Sequence, residues 1–505
     1  MNMNFELKGR IVFSKSIETA RDSIKKFIDE SAPLLTKGAP EGRGAKVIAW
    51  NISGRELQLT ITSERWVRAH EGMLRLRKAL SQFLGREHKI GAREMFIDDY
   101  KITFPLEIEV ITPFTIPFAH SVEFNGKECT LVLKDVDEEF LQRRYIDRMI
   151  SLIKEKVNAQ YYEGKGEHWE LLWSSPKKDE VWRKDPSEEM LRLGWVKQGP
   201  TKGKFFFGPK ATKILRVMEK IALEEVLLPL GFQEVIGSHI VNFDTWIKTG
   251  HLEGMPMELY YVCEPKTRDL RAWEHFIDNL KITRNVPVDE LENLITKPKG
   301  GICYAQCPVI YWAFSGKTLA LESLPVKIFD RAANSCRYES GGRHGIERVD
   351  EFHRIEPVYI GTPEQLVEIR EQLIERYKTV FNEILDLGWR MAWVTPFYMQ
   401  QAGRIGELNG EKIKGTIDFE AYMPYRGERE ESEWLEFQNL TIAGDIYLKP
   451  FNIKAQKGEL WSGCSGIGLE RWTAVFLAQK GLDPKDWPSQ FRKKFGEMPK
   501  DIKIF

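Results

Sequence analysis

The chain has 505 residues, with 74 Lys and Arg against 74 Asp and Glu, so its formal net charge is zero. With 42% hydrophobic and 29% charged residues it is not a disordered chain, which would be poor in apolar residues and strongly charged. At roughly 150 residues per domain, about two to four domains are expected. A neutral total also removes overall basicity as an argument for nucleic-acid binding, so any basic surface must be local.

Six cysteines, at positions 129, 263, 303, 307, 336 and 464, are too few and too scattered for a disulfide scaffold. A reducing compartment is expected. Residues 1–17 mix charges with single apolar residues and lack the apolar stretch of a signal peptide. No apolar run approaches the ~20 residues that span a bilayer, so no membrane partner and a cytoplasmic location are expected.

In chain order, Arg10–Ser14, Lys46–Ile52, Glu56–Ile61 and Thr130–Leu133 are predicted strands, short and rich in Val, Ile, Leu and Phe. Ile17–Leu35, Gly72–Leu84 and Val136–Val157 carry apolar residues at helical spacing and are predicted helices. Together they predict an α+β domain. Residues 164–203 lack sustained periodicity, which sets the expected boundaries at 1–165, a linker over 166–203, and a large domain over 204–505. The large domain opens with a predicted helix over Ala211–Val226 and a strand over Phe232–Val241. It contains no G-x-G-x-x-G fingerprint.

Between Arg65 and Arg93 stand eight basic residues (Arg65, Arg68, Arg75, Arg77, Lys78, Arg86, Lys89 and Arg93) against Glu71 and Glu87. Trp66, His70 and His88 are interleaved. Such a segment is either a solvated helix face or a phosphate-contacting surface. Arg143, Arg144, Arg148, Lys154 and Lys156 on the next predicted helix tilt the reading towards nucleic acid.

Three segments of the large domain carry chemistry. The first runs from Cys336 to Glu356. Arg337 and Glu339 stand two apart, a polar glycine-bearing stretch follows, and Arg348, Asp350, Phe352, Arg354 and Glu356 come at even spacing. On a strand those five share one face, which suits the floor of a pocket for a charged, planar ligand rather than a plain core. The two ends are predicted to pair as a long hairpin. The second segment runs from Trp461 to Trp472, with Gly463, Gly466 and Gly468 allowing close approach and Arg471 starting a helix over Trp472–Ala478. The third begins at Asp418 and continues through Glu428, Glu430, Glu431, Glu433 and Glu436, either a solvated loop or carboxylates for Mg²⁺ on phosphate oxygens.

Together these segments resemble a class II aminoacyl-tRNA synthetase. Arg337-Tyr-Glu339 with Arg348-x-x-x-Phe352 matches that class's second motif, and Gly466-Ile-Gly-Leu-Glu-Arg471 its third. Gly231-Phe-Gln-Glu-Val235 fits the first, without the usual proline near Ser238. Ala305-Gln-Cys307-Pro, Arg354-Ile-Glu356-Pro and Trp461-Ser-Gly-Cys464 are similar to the archaeal, methanogen-type (type 2) seryl-tRNA synthetases. The resemblance implies an α+β protein: a class II antiparallel sheet flanked by helices, with a separate N-terminal tRNA-binding domain, working as a homodimer. It implies activation of serine by ATP and transfer to tRNA(Ser), with tRNA(Sec) open as a second acceptor.

The same resemblance implies one Zn²⁺ per subunit, held by Cys307, Glu356 and Cys464 and open at a fourth position for the amino group of serine. Cys303 is the rival ligand. It places serine near Ala305, Arg337, Arg354, Glu356 and Asn439. ATP falls to Arg337, Glu339, Arg348, Val349, Phe352, Glu433 and Arg471, with Phe352 and Arg471 sandwiching the adenine. Arg337 is the implied catalytic residue, bridging the serine carboxylate and the α-phosphate. Mg²⁺ accompanies ATP, held by Glu433 or its rival Glu436. The 390–415 stretch, with Gly403 and Gly406, is a candidate to close over serine. A threonine-specific synthetase, an inactive RNA-binding paralogue and a ligase acting on a carrier protein are the rival readings. The Cys/Glu/Cys set, the intact arginines and the N-terminal domain respectively weigh against them.

Overall fold

A computed structural model describes residues 3–162, 169–179, 181–332, 334–339, 342–394 and 413–500. The candidate closing segment with Gly403 and Gly406 lies outside the described residues. The chain divides into two units, Met1–Gly166 and Glu167–Phe505.

The first unit is built on a six-stranded antiparallel sheet of β1 (Asn4–Phe13), β2 (Lys46–Ser53), β3 (Glu56–Glu64), β4 (Ala92–Pro105), β5 (Ser121–Asn125) and β6 (Glu128–Asp137), in the order β2-β3-β1-β4-β6-β5. In β1 and β3 every second residue is apolar: Phe5, Leu7, Ile11 and Phe13 face the same side as Leu57, Leu59 and Ile61, and all are buried. That alternation makes one face of the sheet core and leaves the other to solvent. The helix Ala69–Glu87 covers the apolar face with Met73, Leu76, Leu80 and Leu84, spaced three and four apart.

Two predicted helices are broken. Ile17–Leu35 becomes Arg21–Asp29 and Ala32–Thr36, because Pro33 in the first turn of the second piece has no N–H with which to continue the first. Val136–Val157 becomes Glu138–Gln142 and Tyr145–Tyr162, interrupted at Arg144 with φ +57°.

The second unit carries an eight-stranded sheet. Its strands are β7 (Trp169–Ser174), β8 (Gln233–Glu234), β9 (Val326–Asp330), β10 (Arg354–Gly361), β11 (Trp389–Val394), β12 (Gly415–Ala421), β13 (Leu435–Gly444) and β14 (Trp461–Gly468). The order is β8-β9-β10-β14-β13-β12-β11-β7, antiparallel throughout except for the parallel pair β8 and β9. The expected linker is therefore not a bare connection. Within it β7 joins this sheet, and the helix Pro186–Arg192 is capped by Asp185. The predicted strand Phe232–Val241 splits into β8 and Ile240–Asn242, and the predicted helix Ala211–Val226 runs from Pro209 to Ile221 before widening into a π-turn. One face of the sheet carries Ile355, Tyr359, Trp389, Met391, Ile417, Phe419, Leu440, Ile442 and Ile467 into the main core. The helices Pro209–Ile221, Pro363–Thr379 and Leu469–Lys480 pack over them. The opposite face is polar over its middle, whereas Val358, Ile360 and Ala443 pack into a second apolar core with Tyr311, Tyr447 and Phe451.

In the first unit His70 is buried, with Nδ1 2.7 Å from the hydroxyl of the buried Tyr100. Burial, with help from the Arg68 charge, lowers its pKa to about 3. An unfolded chain protonates this histidine below about pH 6.5, whereas the folded chain resists until about 3, so the associated stability is present above 6.5 and lost as pH falls. Between pH 6.5 and 4.5 this group should cost the fold about 2 kcal/mol. Urea unfolding across that range should show a shallower pH dependence for His70→Gln, by about 1.4 kcal/mol per pH unit.

Candidate active site

The polar face of the large sheet floors a cavity of about 380 Å³. Alternation decides which residues reach it: Arg354 and Glu356 of β10, Cys464, Gly466 and Gly468 of β14, Asn439 and Thr441 of β13, and Thr416, Asp418 and Glu420 of β12. A register shift between β12 and β13 brings Glu436 opposite Glu420 and onto the same face. Trp169 of β7 and Val394 of β11 extend the floor to the outermost strand. Tyr304, Ala305 and Cys307 form one wall, and Glu470 and Arg471 come from the start of the helix after β14.

A two-residue antiparallel ladder, Ser335–Cys336 with Glu351–Phe352, forms the base of the expected hairpin and brings Arg337, Glu339, Glu347, Val349 and Phe352 to the cavity. The five even-spaced residues do not share one face, however. Glu351–Phe352 and Arg354–Gly361 are separate strands, and before them the chain turns over Gly345–Glu347 and bends at Asp350. Phe352, Arg354 and Glu356 line the cavity. Asp350 is fully buried elsewhere, accepting from Arg343 Nε at 2.9 Å and Nη2 at 2.7 Å, from Tyr260 Oη at 2.7 Å, and from the Glu339 N–H at 3.1 Å. Burial pushes the Asp350 pKa up, but these hydrogen bonds outweigh it and hold the carboxyl below its usual range. Arg348 is also absent from the cavity lining; its Nη2 donates to Glu433 Oε1 at 2.9 Å.

Arg337 is held at both ends. Nη1 donates to Tyr304 Oη at 2.9 Å and Nη2 to Glu339 Oε2 at 2.9 Å, and the guanidinium lies 5.9 Å from the Phe352 ring centre. Its Nε is buried and donates to no described residue. Arg471 is held by the side chain of Glu436 at 2.6 Å and by the carbonyls of Glu436 and Glu347.

Two of the three glycines of β14 have steric reasons. A Cβ on Gly466 would lie 2.4 Å from Arg354 Nη2, and one on Gly463 would lie 2.4 Å from the Tyr359 ring. Gly468 has open space where a Cβ would stand, with nothing nearer than Arg471 Cβ at 4.0 Å. Asn439 Oδ1 accepts the Gly466 N–H at 3.1 Å, fixing the carboxamide beside Arg354.

Cys307, Glu356 and Cys464 meet at the inner end, with their ligand atoms all within 4.8 Å of one another and all three residues buried. Cys307 starts a short helix, Glu356 comes from β10 and Cys464 from β14. Glu356 Oε2 accepts from Arg354 Nε, whereas Oε1 is buried with no hydrogen-bond donor among the described residues. Burial raises the Glu356 pKa, and hydrogen bonding to Cys464 together with burial raises that of Cys307. Two sulfurs and a carboxylate oxygen that accepts no hydrogen bond from the described residues, brought together out of water, suit a borderline-soft divalent ion. Cys303 stands apart from this trio, with Sγ 3.0 Å from the Ala305 carbonyl.

Of the acidic run, Glu428 pairs with Arg183 at 2.8 Å and Glu433 with Arg348, both outside the cavity; Glu436 is inside it. Sequence reasoning missed Tyr304, His251, Glu347, Glu420 and Trp169, all of which line the cavity. Only Glu420 had a usable signal, its even spacing from Asp418.

A tRNA-binding domain model matches residues 3–155, and the tRNA synthetase class II core domain (G, H, P, S and T) matches residues 289–480. The type-2 serine–tRNA ligase of Methanothrix thermoacetophila is 48% identical over 511 residues, covering 99% of this chain and all of the relative. That of Methanococcoides burtonii is 48% identical over 507 residues, covering the whole of both chains. The crystal structure of M. kandleri SerRS in complex with A. aeolicus tRNASec matches with a TM-score of 0.88 at 30% identity, covering 100% of this chain and 99% of that one. The chain belongs to the type-2 serine–tRNA ligase family. Its large unit is a class II synthetase core, and its N-terminal unit is the family's tRNA-binding domain.

Asp350 ties the synthetase core's hairpin to Tyr260 and Arg343, so Asp350→Ala leaves a guanidinium and a phenol without their acceptor. Urea unfolding should show Asp350→Ala less stable than wild type, and Asp350→Asn in between.

Proposed function

We propose that the chain joins serine to tRNA, first activating the amino acid with ATP in this cavity. The observation that carries the reading is Arg337, a guanidinium fixed through both Nη atoms whose buried Nε has no described partner. Such a group is an oriented cation awaiting an oxyanion. The serine carboxylate and the α-phosphate supply two. Arg354 and Asn439 lie on the adjoining floor to orient serine, with Ala305 as the small wall. Phe352 and Arg471 offer an aromatic and a guanidinium surface for adenine, with Glu339 and Val349 beside them. Arg348 and Glu433 stand further out, towards the β- and γ-phosphates.

Seven carboxylates (Glu339, Glu347, Glu356, Asp418, Glu420, Glu436 and Glu470) line the cavity against three arginines (Arg337, Arg354 and Arg471). A triphosphate entering such a field needs Mg²⁺ with it. Glu436, inside the cavity, is better placed to hold that ion than Glu433, outside it. Cys307, Glu356 and Cys464 would hold Zn²⁺, which when bound supplies a Lewis acid for the serine amino group.

The serine carboxylate then attacks the α-phosphorus, and the bond to pyrophosphate breaks. A terminal ribose hydroxyl of tRNA attacks the resulting acyl-adenylate carbonyl, and AMP leaves. The residues orient and neutralise; none has to act as a strong base. On the N-terminal unit Arg65, Lys78, Arg86, Lys89 and Arg93 are exposed, as are Arg143, Arg144, Arg148, Lys154 and Lys156, and they offer a phosphate-binding surface for tRNA. The reading includes a homodimer built on the edge of the sheet at β8, where Leu228, Ile236 and Ile240 are exposed. It also includes a cytoplasmic location; no helix among the described residues is long and apolar enough to cross a membrane.

Serine-dependent ATP–pyrophosphate exchange tests the reading. The wild-type chain should show it with serine and far less with threonine, and Arg337→Ala should lose it by at least about a thousandfold with the thermal melt preserved. Undiminished exchange in that variant would refute the assignment. Metal analysis should find one zinc per chain, with Cys464→Ser losing both the metal and the exchange activity.

A further inference from the structure

The outer end of the cavity carries an arrangement that adenylate formation leaves unused. Trp169 stands on the outermost strand, 43% exposed, and also lines the cavity. Its indole Nε1 donates to Glu420 Oε1 at 2.9 Å. Its ring lies 4.7 Å from the guanidinium carbon of Arg390, whose Nε donates to the other oxygen, Glu420 Oε2, at 2.6 Å. Arg390 also lies 4.3 Å from the Trp434 ring, and Arg429 lies 4.8 Å from that same ring. One carboxylate therefore fixes both the indole and the arginine packed on it. Leu171, also exposed, lies two residues along the same strand.

A tryptophan held this rigidly has already lost the rotamer freedom that binding would cost, yet much of its apolar surface remains in water. A flat ligand stacked on it would cover that surface at little entropic loss. The chemistry says which ligand. The acyl-adenylate forms inside the cavity and the acceptor hydroxyl sits at the end of a single-stranded RNA, so unpaired nucleotides have to pass the cavity mouth. Single strands are bound by aromatic side chains that stack bases and by cations that follow the phosphates. Trp169 offers the first, and Arg429, packed on Trp434 beyond it, the second.

We propose that Trp169, clamped by Glu420 and Arg390, is the platform on which a base of the unpaired acceptor end of tRNA stacks as its terminal ribose enters the cavity. This rests on the function proposed above and adds to it a positioning residue for the transfer step alone.

The test separates the two steps in the full-length chain. In Trp169→Ala, serine-dependent exchange should fall clearly less than transfer does. Single-turnover transfer to subsaturating tRNA should fall about tenfold, within the fivefold to 150-fold range of one lost base stack. Trp169→Phe should recover most of it. A tRNA lacking its unpaired 3′ nucleotides should bind wild type and Trp169→Ala equally. Unchanged transfer in Trp169→Ala, or an equal fall in exchange and transfer, overturns the proposal. So does an equal loss of affinity for intact and truncated tRNA. If Trp169→Ala does not fold, 2-aminopurine at the unpaired end of the tRNA replaces it as the probe: quenching on binding supports stacking, and its absence overturns it. Absence of exchange in the wild-type chain would overturn the reading on which the proposal rests.

Discussion

Burying charge on one face of an antiparallel sheet is the constraint that organises the large unit. Same-face neighbours on adjacent strands lie about 5 Å apart, so every charge placed there acts on the next. The residues answer by pairing. Arg354 bonds Glu356, Arg337 bonds Glu339, Arg390 bonds Glu420 and Arg471 bonds Glu436. Breaking such a pair in a dry site leaves an uncompensated charge, so each partner fixes the geometry of the other. The cavity is consequently stiff before any ligand arrives, which is what a reaction dominated by positioning requires.

The same constraint explains why charge runs from balanced to unbalanced across the floor. Where arginines and carboxylates alternate, the face is locally neutral. At the inner end Arg354 is bonded to Glu356 and faces that carboxylate and the sulfurs of Cys307 and Cys464, while Glu356 Oε1 has no donor among the described residues. Added positive charge is stabilised most strongly there, because attraction grows as water is excluded. An amine or a metal ion is drawn to that end and a phosphate is not, which sets the direction in which a substrate carrying both amine and carboxylate would lie.

Periodicity made part of this legible. The glycines at 463 and 466, the pair Arg354 and Glu356, and the two arginines 337 and 471 could all be placed from spacing and resemblance. Periodicity assigns faces, not partners, so Tyr304, Glu347 and Trp169, which come from distant segments, gave no signal. It also fails where the phase slips. In β4 the buried residues are Met95 and Ile97, then Tyr100, Ile102 and Phe104, and the slip at Asp98 and Asp99 coincides with the register shift against Lys8 and Gly9. A bulge of that kind hid a central 14-residue strand. Asp350 misled for a related reason: its even spacing from Phe352 continued a strand that the chain had already left.

Counting charges overstated the basic segment in the first unit. Arg68 is bonded to Asp147, Arg77 lies 3.0 Å from Glu138, and Arg75 Nη1 donates to the carbonyls of Leu34 and Lys37. Those three hold the unit together, and the cations left for a polyanion are the exposed ones. A net charge of zero therefore conceals two different arrangements. On the first unit a group of exposed cations, Arg65, Lys78, Arg86, Lys89 and Arg93 among them, is turned outwards, where each can exchange a counterion for a phosphate. On the floor of the large unit the two signs interleave at the spacing of the strands, and the excess of carboxylates makes the site selective for ligands that bring their own cations. A polymer with many phosphates can bind strongly only to the first arrangement. It can touch the second only at its edge, with its last unpaired residues, which is where a chain that must deliver a single hydroxyl needs to end.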